Sequence, residues 1–499
     1  MFKEWVGEAS VFGVEILPQP SERLCTQNLA GTLHTDGVGS MLSVGREVKM
    51  EIPVKIQVNP VMSILKSRRG QFWALACLVL FAVGLFRYRV RYDSTDIVPR
   101  EEETFQLARN IAETGQFANP FVSLDTGPSA HLAPAFPAFL ALIMKVFGDR
   151  DAGIYSIRLA ASLVLCLEVA LFPVFSSALG MGNLNGMVAA IVWIVAKVGL
   201  ESLGHQALAM YAWEAFYAAL LIAIIVCYCR RYLDSSAHDS TRLAWPIGVL
   251  LGVLALTSPT AGIVFVGWAA WIAWRERLTT FRKSHLLVVL LPALMVAPWM
   301  IRNYLVFDRI IFVRDNFGLE LSVSNNDCAV FGIVQNRQSG CFAKVHPNAN
   351  IDEARKVLAY GEPKYNDLKL REARSWIENH PARFLELSAV RFAAFWLPPA
   401  NEGPFTLLGR GGRLQRLAIG IMTLLSIPGL FILWRRDTKS AVLCSLCLIL
   451  FPLIYYIVQH DDRYRYPILW VTFFLGSLPI TNVVRPMLKS LNFGRTVSE

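Results

Sequence analysis

The sequence predicts an all-α polytopic membrane protein of about ten spanning helices, from its composition, from the grouping of its apolar residues and from its flanking charges. Of 499 residues, 54% are hydrophobic and only 17% charged. The mean hydropathy of +0.42 lies beyond that of ordinary soluble domains, so lipid must cover part of the surface. The apolar residues form runs near the roughly 20 residues that a helix needs to cross ~30 Å of hydrocarbon. Lys and Arg cluster beside these runs, so the formal charge of +10 points to anionic lipid headgroups and not to nucleic acid.

Residues 1–61 are polar, without sustained periodicity, and are expected to form a poorly ordered N-terminal extension. Nothing there resembles a cleavable signal peptide, so Phe72–Phe86 is expected to be a retained first span. Further runs follow at roughly 154–180, 184–201, 206–229, 243–257, 259–274, 285–301, 413–434, 439–458 and 466–484. With a cytoplasmic N-terminus, the later short loops holding Arg230 and Arg231, Arg275 and Arg277, and Arg435, Arg436 and Lys439 are all cytoplasmic. The 485–499 tail joins them. Only Arg87, Arg89 and Arg91 run against this positive-inside orientation.

Two long segments then fall outside: the first outer loop, 87–153, within an N-terminal transmembrane region 62–301, and an outer-face domain, 302–412. The C-terminal spans occupy 413–484. Long ordered loops usually carry function, so the chemistry is expected in these two segments. Cys328 and Cys341 both lie in the second, where an oxidising exterior favours a disulfide. Cys166, Cys227, Cys229, Cys444 and Cys447 lie in or at the ends of apolar runs and read as packing residues.

Pro99 and the acidic run Glu101, Glu102 and Glu103 introduce a helical stretch, Thr104–Thr114, that stops at Gly115. Acidic residues in a first turn complement the helix dipole. The functional reading is that one carboxylate at the membrane surface removes the proton of an acceptor hydroxyl as it attacks an anomeric carbon. Chemistry alone does not choose among the three. Asn119-Pro120-Phe121, Thr126-Gly127-Pro128-Ser129-Ala130-His131 and Pro134-Ala135-Phe136-Pro137 follow, leading into an apolar run.

The order of these strings resembles the first outer loop of bacterial glycosyltransferases of the GT-C superfamily. These are relatives of protein O-mannosyltransferases, aminoarabinose transferases and the RgtA/B/C/D-like galacturonosyltransferases. In that pattern the acid stands five residues before the helix alanine, here Ala108, which places it on Glu103, with Glu102 the alternative. The sequence departs from the pattern at Ala133 and Ala135, and carries Glu where many relatives carry Asp. Glu214, at the edge of an apolar run, and the Gly252–Thr260 string, with Ser258 in place of the usual Arg, match further family positions. So do Ala297–Tyr304, Arg314–Leu321, His380–Phe384 and Tyr455–Pro467, and the similarity extends over roughly 65–485.

The resemblance implies a GT-C fold with a re-entrant or juxtamembrane helical first outer loop. It implies transfer of a sugar from a polyprenyl-phosphate donor to a lipid, glycan or protein acceptor. The expected place is the periplasmic face of a bacterial inner membrane. Arg463, Arg465 and Arg302 are the expected donor-phosphate ligands, since a guanidinium matches the charge that gathers on a departing phosphate. His131 and Glu214 are substrate-site candidates. His131, His346 and His460 are not in a helix-spaced pair, so no metal site is assigned, although a divalent ion is compatible with the chemistry. The competing reading is a polytopic transporter or lipid flippase. That class usually carries internal repeats and broken helices at mid-membrane, and the sequence has no repeat and concentrates its ionisable residues in the outer loops.

Overall fold

A computed structural model describes residues 102–194, 214–275, 283–397 and 409–493. The N-terminal extension and the expected span Phe72–Phe86 lie outside these residues. The described elements are helical, and pairing between extended segments is confined to two isolated bridges.

The first outer loop holds α1 (Glu103–Thr114) and α2 (Ala135–Phe147). As the sequence predicts, α1 stops at Gly115, whose φ of 75° lets its N–H close on the Ile111 carbonyl. The membrane body continues with α3 (Asp151–Ala178), α4 (Asn183–Ile194), α5 (Ala215–Tyr232), α6 (Ala237–Thr257), α7 (Gly262–Arg275) and α8 (Lys283–Phe307). The second outer segment carries α9 (Phe317–Ser324), α10 (Ile333–Gln338), α11 (Cys341–Val345), α12 (Ile351–Tyr360), α13 (Glu362–Asn379) and α14 (Pro381–Trp396). The bundle is completed by α15 (Gly409–Arg436), α16 (Thr438–Leu450) and α17 (Tyr466–Phe493).

Among the described residues, seven helices are long and apolar enough to cross a membrane: α3, α5, α6, α8, α15, α16 with its following 3-10 turn, and α17 with its preceding one. The expected spans 184–201 and 259–274 correspond to the shorter α4 and α7. Pro259 ends the helical path of α6 and opens a 3-10 turn, Pro259–Ala261, so α7 starts late, at Gly262.

The two ends of the bundle differ in chemistry. At one end, Arg230 of α5 pairs with Asp437 at 2.9 Å and with Asp234, while Lys439 reaches Asp234 and Arg436 donates to Asn482 at 2.7 Å. Arg485 of α17 reaches the Met181 carbonyl just beyond α3 at the same end. The other end gathers the starts of α5, α7 and α17 and the terminus of α6.

Helix α17 is central, with Trp470, Phe473, Phe474 and Leu475 fully buried. Polar side chains also bind it to its neighbours. Asn185 of α4 donates to the Phe474 carbonyl at 3.0 Å and accepts from Thr481 at 3.2 Å, while Tyr466 donates to buried Glu168 of α3 at 3.1 Å. In hydrocarbon, where water offers no alternative partner, such bonds fix register.

The outer segment stands on a close contact between α9 and α13. A Cβ at Gly318 would lie 2.0 Å from the Asn366 carbonyl oxygen. The same asparagine accepts from the Leu319 N–H at 3.1 Å and donates to the Asp315 carbonyl at 2.7 Å. Gly318→Ala is therefore expected to force the two helices apart and destabilise the protein by about 1–3 kcal/mol. A lowered unfolding temperature in detergent would show it, and an unchanged one would refute the contact.

Candidate active site

The first outer loop folds onto the second segment through the strings that stand out in the sequence. Asn119, at φ 55°, donates its backbone N–H to the Gly127 carbonyl at 2.9 Å and accepts the Gly127 N–H on its side chain at 2.7 Å. This closes the path between the Asn-Pro-Phe and Thr-Gly-Pro strings. Phe121 enters a core with Leu319, Val323, Val357 and Tyr365, and Ala130 accepts from the Asp315 N–H at 2.8 Å.

Arg302, expected to bind phosphate, clamps this junction instead. It donates to the Ser129 carbonyl at 2.7 Å and the Phe117 carbonyl at 3.0 Å, and lies 4.9 Å from the Trp299 ring centroid. It does not line the cavity described below. Its motif neighbours act in the same way: Trp299 donates to the Val313 carbonyl and Asn303 to the Ile311 carbonyl.

At the junction of the outer segments and the helix ends lies a cavity of about 400 Å³. Its charged lining comprises Glu102 and Glu103 at the start of α1, Glu214 before α5, Glu320 of α9, Arg314, and Arg463 of the 3-10 turn Asp462–Arg465. Tyr455, Tyr464, Phe317 and Pro259 add apolar surface. Helix ends supply much of this wall, so polar groups meet at the membrane edge without crossing its middle.

Glu103 is the most elaborately held of the carboxylates. Its Oε2 lies 3.1 Å from Nε2 of His131, which is fully buried behind it, and its Oε1 lies 3.5 Å from His346 Nε2. Burial pushes the Glu103 carboxyl up, but His131, His346 and Arg463 outweigh burial and hold it down at about 2. For His131 burial acts downward, and the Glu103 contact followed by Glu362 and Glu320 carries it above its ordinary value. Burial dominates at His346 and lowers it to about 4. His346 is therefore neutral at neutral pH, while the Glu103 contact favours the charged form of His131.

Glu362 supports His131 from behind. It accepts from Ser129 Oγ at 2.7 Å and the Ala130 N–H at 2.6 Å, and Ser129 Oγ accepts from the His131 N–H at 2.9 Å. Burial pushes the Glu362 carboxyl up to about 7, against His131 and these donors. Burial also raises Glu320, with the nearby Glu103 charge acting in the same direction.

The two arginines of the closing motif separate. Arg463 lines the cavity, 5.2 Å from the Tyr464 ring centroid. Arg465, expected beside it, points away: it is buried and donates to the Phe395 and Trp396 carbonyls and to Thr423 and Thr472. Its guanidinium is thus occupied in joining α14 to α15 and α17.

Glu102 lines the cavity with Arg337 at 3.6 Å, and Glu214 lines it at the cap of α5. Cys328 and Cys341 are joined, with Cα atoms 5.6 Å apart. Among the described residues, no group of three or more His, Cys, Asp or Glu is arranged to hold a metal ion. Sequence reasoning missed Arg314, Glu320 and Glu362 and gave His346 no role beside Glu103. Arg314 and Glu320 stood inside a recognised string, but nothing in it marks which way they face.

Comparison with solved structures now has a geometry to match. The archaeal oligosaccharyltransferase AglB from Archaeoglobus fulgidus, in complex with an inhibitory peptide and a dolichol-phosphate, aligns with a TM-score of 0.50 at 11% identity, over 86% of this chain. The fold is of the GT-C type. The chain covers 52% of AglB, about half its length. ArnT from Cupriavidus metallidurans, bound to undecaprenyl phosphate, aligns with a TM-score of 0.37 at 13% identity, over 83% of this chain and 78% of its own. No family model matches the sequence, and no curated protein matches it.

The placements of these side chains have two measurable consequences. Arg465→Ala deprives two carbonyls and two threonines of a buried donor and is expected to cost roughly 3 kcal/mol or more, whereas Arg463→Ala, which strands no such set, is expected to cost less. Equal unfolding temperatures for the two variants would contradict these placements. Glu362 binds a proton more tightly folded than unfolded, so stability declines as pH rises from its ordinary 4.5 to about 7. Glu362→Gln should flatten that stretch of the unfolding-temperature profile, and a profile parallel to wild type would refute the shift.

Proposed function

We propose that this protein is a glycosyltransferase that moves a sugar from a polyprenyl-phosphate donor to a hydroxyl of a lipid, glycan or protein acceptor. The carrying observation is the single cavity that brings an ionised, doubly held Glu103 together with Arg463 and Arg314 at one end of a GT-C bundle. AglB, which shares the fold, was solved with a dolichol-phosphate, in keeping with a lipid-phosphate donor.

In this reading the acceptor oxygen attacks the anomeric carbon while the bond from that carbon to the phosphate oxygen breaks. The hydroxyl proton passes to Glu103, and polyprenyl phosphate leaves with the bonding pair. Arg463, joined by Arg314, balances the charge on the departing phosphate. Glu102 is the reserve base. Glu214 and Glu320, acceptors when ionised, suit sugar hydroxyls on the cavity wall.

The cavity lies at the end opposite the basic cluster of Arg230, Arg436 and Lys439. By the positive-inside rule that end faces outward, which for a bacterial inner membrane is the periplasm. A cytoplasmic reporter signal from a fusion near Asn350 would reverse the orientation.

Purified protein in detergent, given a polyprenyl-phosphate sugar, tests the roles. Glu103→Gln should lower kcat by about 10²–10⁴-fold with donor affinity retained, because base assistance acts in the transition state. Arg463→Ala should weaken donor binding as well as turnover, since the phosphate is anionic before and during transfer. Wild-type turnover by Glu103→Gln would reject the base assignment and move it to Glu102.

A further inference from the structure

The two carboxylates that open α1 are each met by a side chain from one short stretch of the second outer segment. Arg337, near the end of α10, approaches Glu102, and His346, just after α11, approaches Glu103. The Cys328–Cys341 bond closes this stretch at the start of α11. Its base is pinned to the closing motif: Ile333 donates to the His460 carbonyl at 2.9 Å, His460 donates to the Phe331 carbonyl at 2.7 Å, and Asn336 donates to Gln459 at 2.9 Å.

The His346 ring is fixed in both plane and tautomer. It stacks on Phe342 with centroids 4.4 Å apart and planes within 14°. The Asn348 N–H donates to His346 Nδ1 at 3.1 Å, so the proton of the neutral ring sits on Nε2, the atom facing Glu103. His131 hydrogen-bonds Oε2 at 3.1 Å and His346 Nε2 stands 3.5 Å from Oε1, so an imidazole faces each carboxylate oxygen. Without His346 the carboxylate is restrained through one oxygen only, and a terminal sp³–sp² torsion is otherwise broad.

We propose that His346 is a positioning residue for Glu103, held by the Cys328–Cys341 disulfide, so that sugar transfer depends on that bond remaining oxidised. This rests on the reading of Glu103 as the base. The charged groups around Glu103 are His131 from the first outer loop, Arg463 from the 3-10 turn, Glu320 of α9 and neighbouring Glu102. None of these groups is itself changed by substitution of His346, so the variant tests its contribution to Glu103.

The test is sugar transfer by full-length protein purified without reductant, with a polyprenyl-phosphate sugar as donor. His346→Phe keeps a ring for the Phe342 stack and removes the donor, whereas His346→Gln keeps an N–H at a similar reach. His346→Phe is expected to lower kcat by about tenfold to a hundredfold with donor KM unchanged, as misplacement of a reacting group does. Loss of a donor to the carboxylate also raises its pKa, so activity in this variant should decline at mildly acidic pH where wild type holds steady. His346→Gln should restore both. Paired Cys328→Ser and Cys341→Ser should reproduce His346→Phe, and the combined variant should be no worse than either, because the changes act on one contact.

Glu103→Gln, run alongside, separates the two ideas. If it loses activity while His346→Phe and the serine pair keep wild-type kcat and pH profile, positioning is overturned and the base assignment stands. If Glu103→Gln itself is fully active, the base assignment fails and the positioning role fails with it. Should the serine pair not fold, reductant titration of folded wild type decides the disulfide's part, with free thiols counted by alkylation. Undiminished kcat at full reduction would overturn it.

Discussion

A carboxylate kept ionised at the mouth of an apolar bundle is the constraint on which this site depends. Burial works against the charge of Glu103, and the groups that offset burial come from distant parts of the chain: His131 before α2, His346 after α11 and Arg463 before α17. None of them is a neighbour in sequence. The charge therefore exists in this form only when both outer segments and the closing motif are assembled, and much of the outer structure serves that assembly. Arg302 binds the first loop to the end of α8, Asn366 binds α9 to α13, and Glu362 anchors the backbone that carries His131. Each is a polar group satisfied by named partners, as burial at a membrane edge requires.

The fold class was legible because lipid imposes a length and a composition on every crossing, and these survive in one sequence without tertiary information. Helix α1 was legible nearly to the residue because its stop requires a left-handed conformation that glycine adopts freely. The site was legible only as a set of strings. Glu103 and Arg463 face the cavity, while Arg302 and Arg465 carry the same charge in equally recognisable strings and are used structurally. His346, Glu320 and Glu362 entered through contacts between positions more than 200 residues apart, which no local pattern encodes.

The division between Arg463 and Arg465 has a local cause. A 3-10 turn advances about 120° per residue, so side chains two positions apart leave it on different faces. Arg463 emerges toward the cavity and Arg465 toward the interface of α14, α15 and α17. On an extended strand the same spacing would place both on one face, which is how paired arginines in a short motif invite a shared role. The turn instead gives one guanidinium to the cavity and the other to the wall behind it.

The low basicity of Glu103 follows from the same contacts and fits the proposed chemistry. A general base works best when its pKa lies near the working pH, and a carboxyl held at about 2 is far below it. Such a base cannot deprotonate a resting hydroxyl to a useful extent. As the acceptor oxygen bonds to the anomeric carbon it becomes cationic and strongly acidic, and a weak carboxylate base then suffices. In the proposed reaction proton transfer is accordingly late. The leaving side makes the complementary demand, because a phosphate departs without being protonated, unlike the sugar oxygen that a glycosidase must supply with an acid. The cavity needs a carboxylate fixed on the acceptor side and guanidinium charge on the donor side. The contacts that depress the basicity of Glu103 are the ones that fix it, so the site gives up proton affinity for position where the chemistry tolerates that exchange.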